Sequence, residues 1–290
     1  MKRTILILIL AASFSTNLYS DSTFSKSKIK PRKTTVWQDL GNDLKYFASD
    51  WGSYLTLPLR MDGKDVLITS AVVGGTVITS TLDKDIRKGI SRQGYETYNH
   101  DFWDGPTAYG FVQYPSIFGG ALYTIGLVAR ESELRKTGRM MIQSLAYSGT
   151  LIMGLRYLFG RHRPFVSSGN QYEFSWFNSA GDTQSFPSGH TVVAFATSTI
   201  LAEKIDTWWA RVVCYGFAAL TAYARLYNDK HWFSDVFFGA ALGYGTSMFV
   251  LNRERERERK EKQRSSKDGK KGGGLNFYPG LNGFSVTYGF

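Results

Sequence analysis

Pro187-Ser188-Gly189-His190-Thr191-Val192-Val193-Ala194-Phe195-Ala196-Thr197-Ser198-Thr199-Ile200-Leu201-Ala202 joins a small polar tetrapeptide to an apolar run longer than an ordinary strand. A run of that length favours a helix. Pro187 stops the preceding loop, so Ser188-Gly189-His190 opens the helix and places polar groups at its start. Five further apolar stretches share this character: Val66–Leu82, Ala108–Ala129, Met140–Leu155, Val212–Ala224 and Val236–Leu251. Together the six predict an all-α domain with a six-helix core over residues 60–252. The β-branched, Gly-containing Val66–Leu82 stretch fits a helix least well.

Outward from this core the chain changes character. Lys2 and Arg3 precede the apolar Ile5–Ala12, and small or polar residues follow to Ser20, so residues 1–20 read as a signal peptide or N-terminal anchor. Residues 21–59 form a polar lead-in and a short amphipathic helix, Asp43–Leu59, ending at Pro58. Arg253–Arg259 alternates in sign with the intervening glutamates, giving a solvated helix extension and charged linker over 253–274. In the last stretch, 275–290, Phe284, Val286, Tyr288 and Phe290 alternate with Ser285, Thr287 and Gly289, the period of a strand in a short C-terminal β-hairpin.

Composition excludes several classes. The 290-residue chain is 43% hydrophobic, which rules out wholesale disorder, and carries a formal net charge of +11. Between Arg253 and Lys271 ten Lys/Arg and five Asp/Glu give +5, so almost half of the excess sits in one tail. That clustering argues against nucleic acid as a partner and leaves a mildly basic body suited to anionic substrates or lipid surfaces. The lone cysteine, Cys214, excludes a disulfide framework and reads as a buried small hydrophobe. At about 1.5 Å per residue most of the apolar helices fall short of a bilayer core of roughly 30 Å, and only Ala108–Ala129 has full length. Arg130, Arg135, Lys136 and Arg139 share one side with the basic tail, opposite the chemistry-bearing loops. Length and the parity of crossings after an export signal favour an exported, soluble or peripheral domain over an integral six-span protein.

Three segments carry chemistry, each at the end of an apolar helix. In Ala224-Arg225-Leu-Tyr-Asn-Asp-Lys-His231-Trp-Phe-Ser-Asp235, His231 and Asp235 are four apart and share a face if the last helix begins near Lys230. A carboxylate on one imidazole nitrogen then fixes the tautomer while the other nitrogen attacks. The same spacing also fits a capping contact. Ser188, Gly189 and the helix start offer an anion site without a metal, and His190 beside it can protonate a leaving oxygen. Arg156 and Arg163 lie two turns apart with Pro164 ending their helix, and Arg225 adds a third guanidinium for phosphate oxygens. Arg161 and His162 are expected to point to solvent or headgroups. His100 and His162 complete the histidines, and neither has metal-ligand spacing, so no cofactor is expected.

The combination Arg156-x6-Arg163-Pro164, Pro187-Ser188-Gly189-His190 and Ala224-Arg225-x5-His231-x3-Asp235 resembles the type 2 phosphatidic acid phosphatase family, which shares its fold with vanadium haloperoxidases. The usual pattern has Lys where Arg156 stands and Ser where Ala224 stands. The resemblance implies a helical bundle with His231 as nucleophile, Asp235 as its orienter and His190 as general acid. It also implies that Arg156, Arg163, Ser188, Gly189 and Arg225 hold the phosphoryl group. The implied substrate is a phosphomonoester or diphosphate, above all of a lipid such as a polyprenyl diphosphate. Membrane association and an active site on the periplasmic side of a cell envelope go with it. A vanadate-dependent haloperoxidase and a catalytically silent scaffold are the alternatives.

Overall fold

Thr35 caps the first helix: its hydroxyl accepts from the Gln38 N–H, and the Gln38 side chain accepts in return from the Thr35 N–H. The computed structural model describes residues 35–90, 100–167, 169–178, 180–271, 275–280 and 283–288. The expected signal segment, residues 1–20, lies outside them, as does the lead-in up to residue 34. The Thr35 cap starts helix α1, Val36–Leu55, earlier than Asp43, and the turn Leu57–Arg60 containing Pro58 follows it.

Asp62 and Asp65 form a second capping box that opens α2, Gly63–Thr81, so the β-branched stretch is helical. A bend of 61° leads into α3, Asp83–Ile90. The expected continuous helix Ala108–Ala129 is broken instead. Helices α4, His100–Tyr109, and α5, Gln113–Val128, meet at 51°. At the break sits Gly110, where an added Cβ would lie 2.8 Å from both His190 Cβ and Thr221 Cγ2. Helices α6, Ser132–Phe159, α7, Gly189–Ile205, and α8, Trp208–Tyr227, follow. The last helix, α9, spans Phe233–Lys271. Beyond it β1, Leu275–Gly280, pairs antiparallel with β2, Gly283–Tyr288, with Leu275 opposite Tyr288.

The described residues are thus overwhelmingly helical. Helix α6 packs on α5, α7 and α9, while α8 packs on α7 and α4. Met140, Met141 and Tyr147 of α6 meet Ile200 of α7 and Val250 and Leu251 of α9 in the core, with Phe47, Trp51 and Tyr54 of α1 against them. Truncating such a buried side chain to alanine costs about 2–5 kcal/mol. Cys214 is buried in α8. Helices α7 and α9 approach very closely: a Cβ on Gly243 would stand 2.4 Å from the Val192 carbonyl oxygen.

The expected linker from residue 253 is helical as far as Lys271, and its first turns are not solvated. Asp50 of α1, fully buried, accepts from Arg253 and Arg257, and Glu254, 6% exposed, accepts from Arg139. Lys136 binds Glu258 at 2.7 Å. Ion pairing to α1 and α6, invisible in a local pattern of alternating charge, continues the helix through this stretch.

The outer surface is unusually apolar. Leu67 and Ile78 on α2, Ile117 and Val128 on α5, and Trp208 and Val212 on α8 are each at least 64% exposed. Large exposed apolar side chains in this number suit a lipid or partner contact better than water, which weighs against the soluble reading. Among the described residues one helix, over Phe233–Arg264, is long and apolar enough to cross a membrane, and the bent pairs α2–α3 and α4–α5 qualify if each counts as one span.

Candidate active site

The site is assembled from three chain reversals at one end of the bundle. Helix α6 ends at Gly160 in the left-handed region, φ 53°, where an added Cβ would fall 1.8 Å from the Ser175 carbonyl oxygen. That tight exit sends residues 161–188 back across the helix ends. Ser185 N–H donates to the Arg161 carbonyl and Arg163 N–H to that of Asp182, so the returning strand is pinned to the outgoing one.

Arg156, in the last turn of α6, reaches the start of α7. Its Nε and Nη2 donate to the Pro187 carbonyl at 3.3 and 3.2 Å. Any Cβ at Gly189 would lie 2.8 Å from Arg156 Nη2, so glycine is what lets guanidinium and helix start approach. Ser188, fully buried, is the N-cap of α7, yet its side chain makes no capping bond and instead accepts from the Thr191 hydroxyl at 2.9 Å. The first N–H groups of a helix so opened are donors for an anion.

At the third reversal α8 ends at Tyr227, and the chain turns through Asp229, φ 54°, before α9. His231 therefore precedes α9, which begins at Phe233 and not near Lys230. The expected shared helical face is absent. His231 Nδ1 is 2.8 Å from the Ser185 carbonyl oxygen and 3.9 Å from Asp235 Oδ2. The Ser185 carbonyl, an acceptor, fixes Nδ1 as the protonated nitrogen and leaves Nε2 with its lone pair. Asp235 Oδ2 accepts from the Ser185 hydroxyl at 2.5 Å and from the Trp232 N–H at 2.9 Å. The carboxylate thus frames the imidazole through its neighbours.

Electrostatics draw the remaining groups together. Burial, then Arg225, His231, Arg156 and Arg163, push His190 down to about 3. His231 is likewise pushed down to about 4, chiefly by burial, with Arg163 and Arg156 adding to it against Asp235. His190, His231, Arg156, Arg163 and Arg225 thus act on one another electrostatically. Among the described residues neither Arg156 nor Arg163 has a carboxylate within ion-pair distance, and Arg163 Nε and His190 Nε2 are buried without hydrogen-bond partners. Arg225 donates to the Thr107 hydroxyl at 2.7 Å.

Arg161 corrects the sequence reading. It is 3% exposed, not solvent-facing, and donates to Asp235 Oδ1 at 2.6 Å and Asp83 Oδ2 at 2.8 Å. Its position one residue past the Gly160 turn brings it inward, whereas helical phase would have turned it out. His162 Nε2 lies 2.8 Å from Ser175 Oγ. Asp83, Ser185 and Thr107 were missed because they lie outside the three segments and carry no local pattern. No cluster of three or more His, Cys, Asp or Glu able to hold a metal ion occurs among the described residues.

Residues 139–259 match the profile of the PAP2 superfamily, and they span the whole of this constellation apart from Asp83 and Thr107. The lipid A 1-phosphatase of Porphyromonas gingivalis is 33% identical over 111 residues, 37% of this chain and 22% of that protein. The chain thus matches little more than a fifth of the curated relative's length. Two solved structures are also similar. The transmembrane PAP2-type phosphatidylglycerolphosphate phosphatase of Bacillus subtilis has 18% identity and a TM-score of 0.45 over 64% of this chain and 95% of that one. LpxE of Aquifex aeolicus has 19% identity and a TM-score of 0.36 over 54% and 97%. The matched segment begins at Arg139, in α6, and α1 to α5 precede it in the chain.

Proposed function

We propose that this chain is a membrane-associated phosphatase that hydrolyses a lipid phosphomonoester or diphosphate through a phosphohistidine on His231. The observation that carries the reading is the convergence of Arg156 and Arg163, cations without a carboxylate partner among the described residues, on two histidines held neutral. Partly buried cations are costly without a counter-charge nearby. A phosphate dianion supplies it.

His231 Nε2 attacks phosphorus while its Nδ1–H stays on the Ser185 carbonyl. The P–O bond to the leaving group breaks with its electron pair, and His190 gives that oxygen a proton. His190 can carry this proton once the bound dianion offsets the arginines that depress its basicity. In the second half His190 takes a proton from water, whose oxygen attacks phosphorus, and the N–P bond returns its electron pair to Nε2. Arg156, Arg163, Arg225, Ser188 and the backbone at Gly189 bind the equatorial oxygens, so charge neutralisation comes from the protein and no metal is required.

The exposed apolar side chains of α2, α5 and α8 support the lipid class, since such faces suit a membrane surface. The site end faces the periplasm, opposite the basic residues of the α5–α6 turn and α9. The test is phosphate release from phosphatidate, phosphatidylglycerol phosphate, undecaprenyl diphosphate, lipid A and p-nitrophenyl phosphate in EDTA, with His231→Ala as control. Release from a lipid that survives EDTA and is lost in the variant is expected. Equal release by the variant would remove His231 from the chemistry, and release only from the soluble ester would overturn the lipid assignment.

A further inference from the structure

Helix α3 precedes the segment matched by the PAP2 superfamily, yet two of its side chains fasten the stretch that carries His231. Asp83 has no exposed side-chain surface. Its Oδ1 accepts from the Ser234 N–H at 2.9 Å, and its Oδ2 accepts from the Ser234 hydroxyl at 2.6 Å and Arg161 Nη2 at 2.8 Å. The other end of that guanidinium, Nη1, reaches Asp235 Oδ1 at 2.6 Å and Ser234 Oγ at 2.7 Å. One turn further along α3, Arg87 makes a two-pronged pair with Asp229 at 2.8 and 2.6 Å. The guanidiniums of Arg87 and Arg161 both lie over the Trp232 ring, at 5.5 and 5.6 Å. The residues on either side of His231 are thus tied to α3.

Charge explains why the arrangement needs Asp83. Arg161 also donates to the Gln171 carbonyl through Nε and Nη2 at 3.1 and 2.8 Å, but Asp83 is the one carboxylate besides Asp235 within ion-pair distance of it among the described residues. A second carboxylate on the opposite fork of a planar guanidinium fixes its plane. Fixing the plane fixes the Asp235 oxygen that Arg161 binds. The other Asp235 oxygen then stays on the Ser185 hydroxyl and the Trp232 N–H, the two groups that frame His231.

We infer that Asp83 is a positioning residue for catalysis: through Arg161 it holds the Asp235 carboxylate in the orientation that sets His231, in a relay running from α3 to the nucleophile. This rests on the phosphohistidine reading above. The consequence is that Asp83 serves the chemical step and not substrate capture, since none of its contacts faces the arginine cluster.

The test is a double-mutant cycle on the full chain. Asp83→Asn should lower kcat on the order of tenfold to a hundredfold, with KM within about threefold of wild type. In an Asp235→Asn background the same change should lower kcat by less than about twofold, because the relay is already cut. A purely structural ion pair would multiply its effect in both backgrounds. Arg161→Lys, which keeps one charge but cannot fork to two carboxylates, should reproduce the kcat loss if Asp83→Asn does not fold. Asp85→Asn, on the exposed side of the same helix, should change nothing. The ring nitrogens of His231, followed by 15N NMR, should shift in Asp83→Asn and stay put in Asp85→Asn. Unchanged kcat and unchanged His231 resonances in Asp83→Asn, or a kcat loss that multiplies in the Asp235→Asn background, would overturn the relay. If wild type releases no phosphate from any ester while the His231 resonances still respond to Asp83→Asn, the phosphatase reading falls and the relay stands.

Discussion

Two groups of arginines sit towards opposite ends of α6, and they are balanced in opposite ways. At the α1 end Arg135, Arg139, Arg253 and Arg257 meet Asp39, Asp43, Asp50 and Glu254, so each cation has a carboxylate. At the other end Arg156 and Arg163 face two neutral histidines, and the nearby Arg161 is drawn off by Asp83 and Asp235. The residue type is the same and the burial is similar. What separates a structural clasp from an anion site is whether the counter-charge belongs to the protein. A charge that the fold leaves unanswered is an affinity for something else.

The comparison breaks most visibly if the two ends respond alike to loss of a charge. Removing Arg163 as Arg163→Met should lower kcat/KM on the order of a hundredfold or more, as for loss of a transition-state charge donor. Its unfolding midpoint should hardly fall, because the variant deletes a half-buried cation with no carboxylate within ion-pair distance among the described residues. A lower melting temperature alongside intact activity would reverse the assignment. At the opposite end Asp50→Ala leaves Arg253 and Arg257 without their shared carboxylate and should destabilise by about 3 kcal/mol. Denaturant unfolding in detergent measures that, and kcat/KM should remain near wild type.

A third expectation sharpens the site end through pH. Both histidines have folded pKa values below the ordinary 6.5, about 3 for His190 and about 4 for His231. The unfolded chain therefore takes up protons first. The stability they lend is complete above pH 6.5 and drains away as pH falls towards 4. Unfolding free energy followed between pH 7 and 4 should fall with a slope that flattens when His190 and His231 are both replaced by Gln. The smallest effect belongs to a surface pair: Arg211→Ala, losing a half-exposed contact to Asp206, should change stability by less than about 0.5 kcal/mol.

The helices were legible because apolar run length is a local property, and the three motif segments were legible because a phosphate site needs fixed spacings. What the sequence concealed depends on distant partners. Arg161 meets a carboxylate 78 positions earlier, Asp83, and nothing near either residue announces it. The alternating Arg/Glu stretch looks solvated until Asp50 and Arg139 are placed against it. The break at Gly110 comes from His190 and Thr221, which sit against the turn between α4 and α5. His231 lies outside α9 because Asp235 accepts from the Trp232 N–H and caps the helix three residues later than spacing suggests.

The seam between α7 and α9 has a consequence for how such a sequence can drift. A Cβ at Gly239 would press on the Ser188 carbonyl at 2.9 Å, and one at Gly243 on the Val192 carbonyl at 2.4 Å. Those atoms are backbone, so no rotamer change relieves them, and widening the seam would pull Ser188 N–H from the Asp235 carbonyl it donates to at 3.2 Å. In a saturation library, these two positions should admit glycine and little else. The outward apolar faces of α2, α5 and α8 should accept almost any apolar residue. Neutral variation would then accumulate on the outside of the bundle, and two small residues that touch no substrate would be as unchanging as the nucleophile.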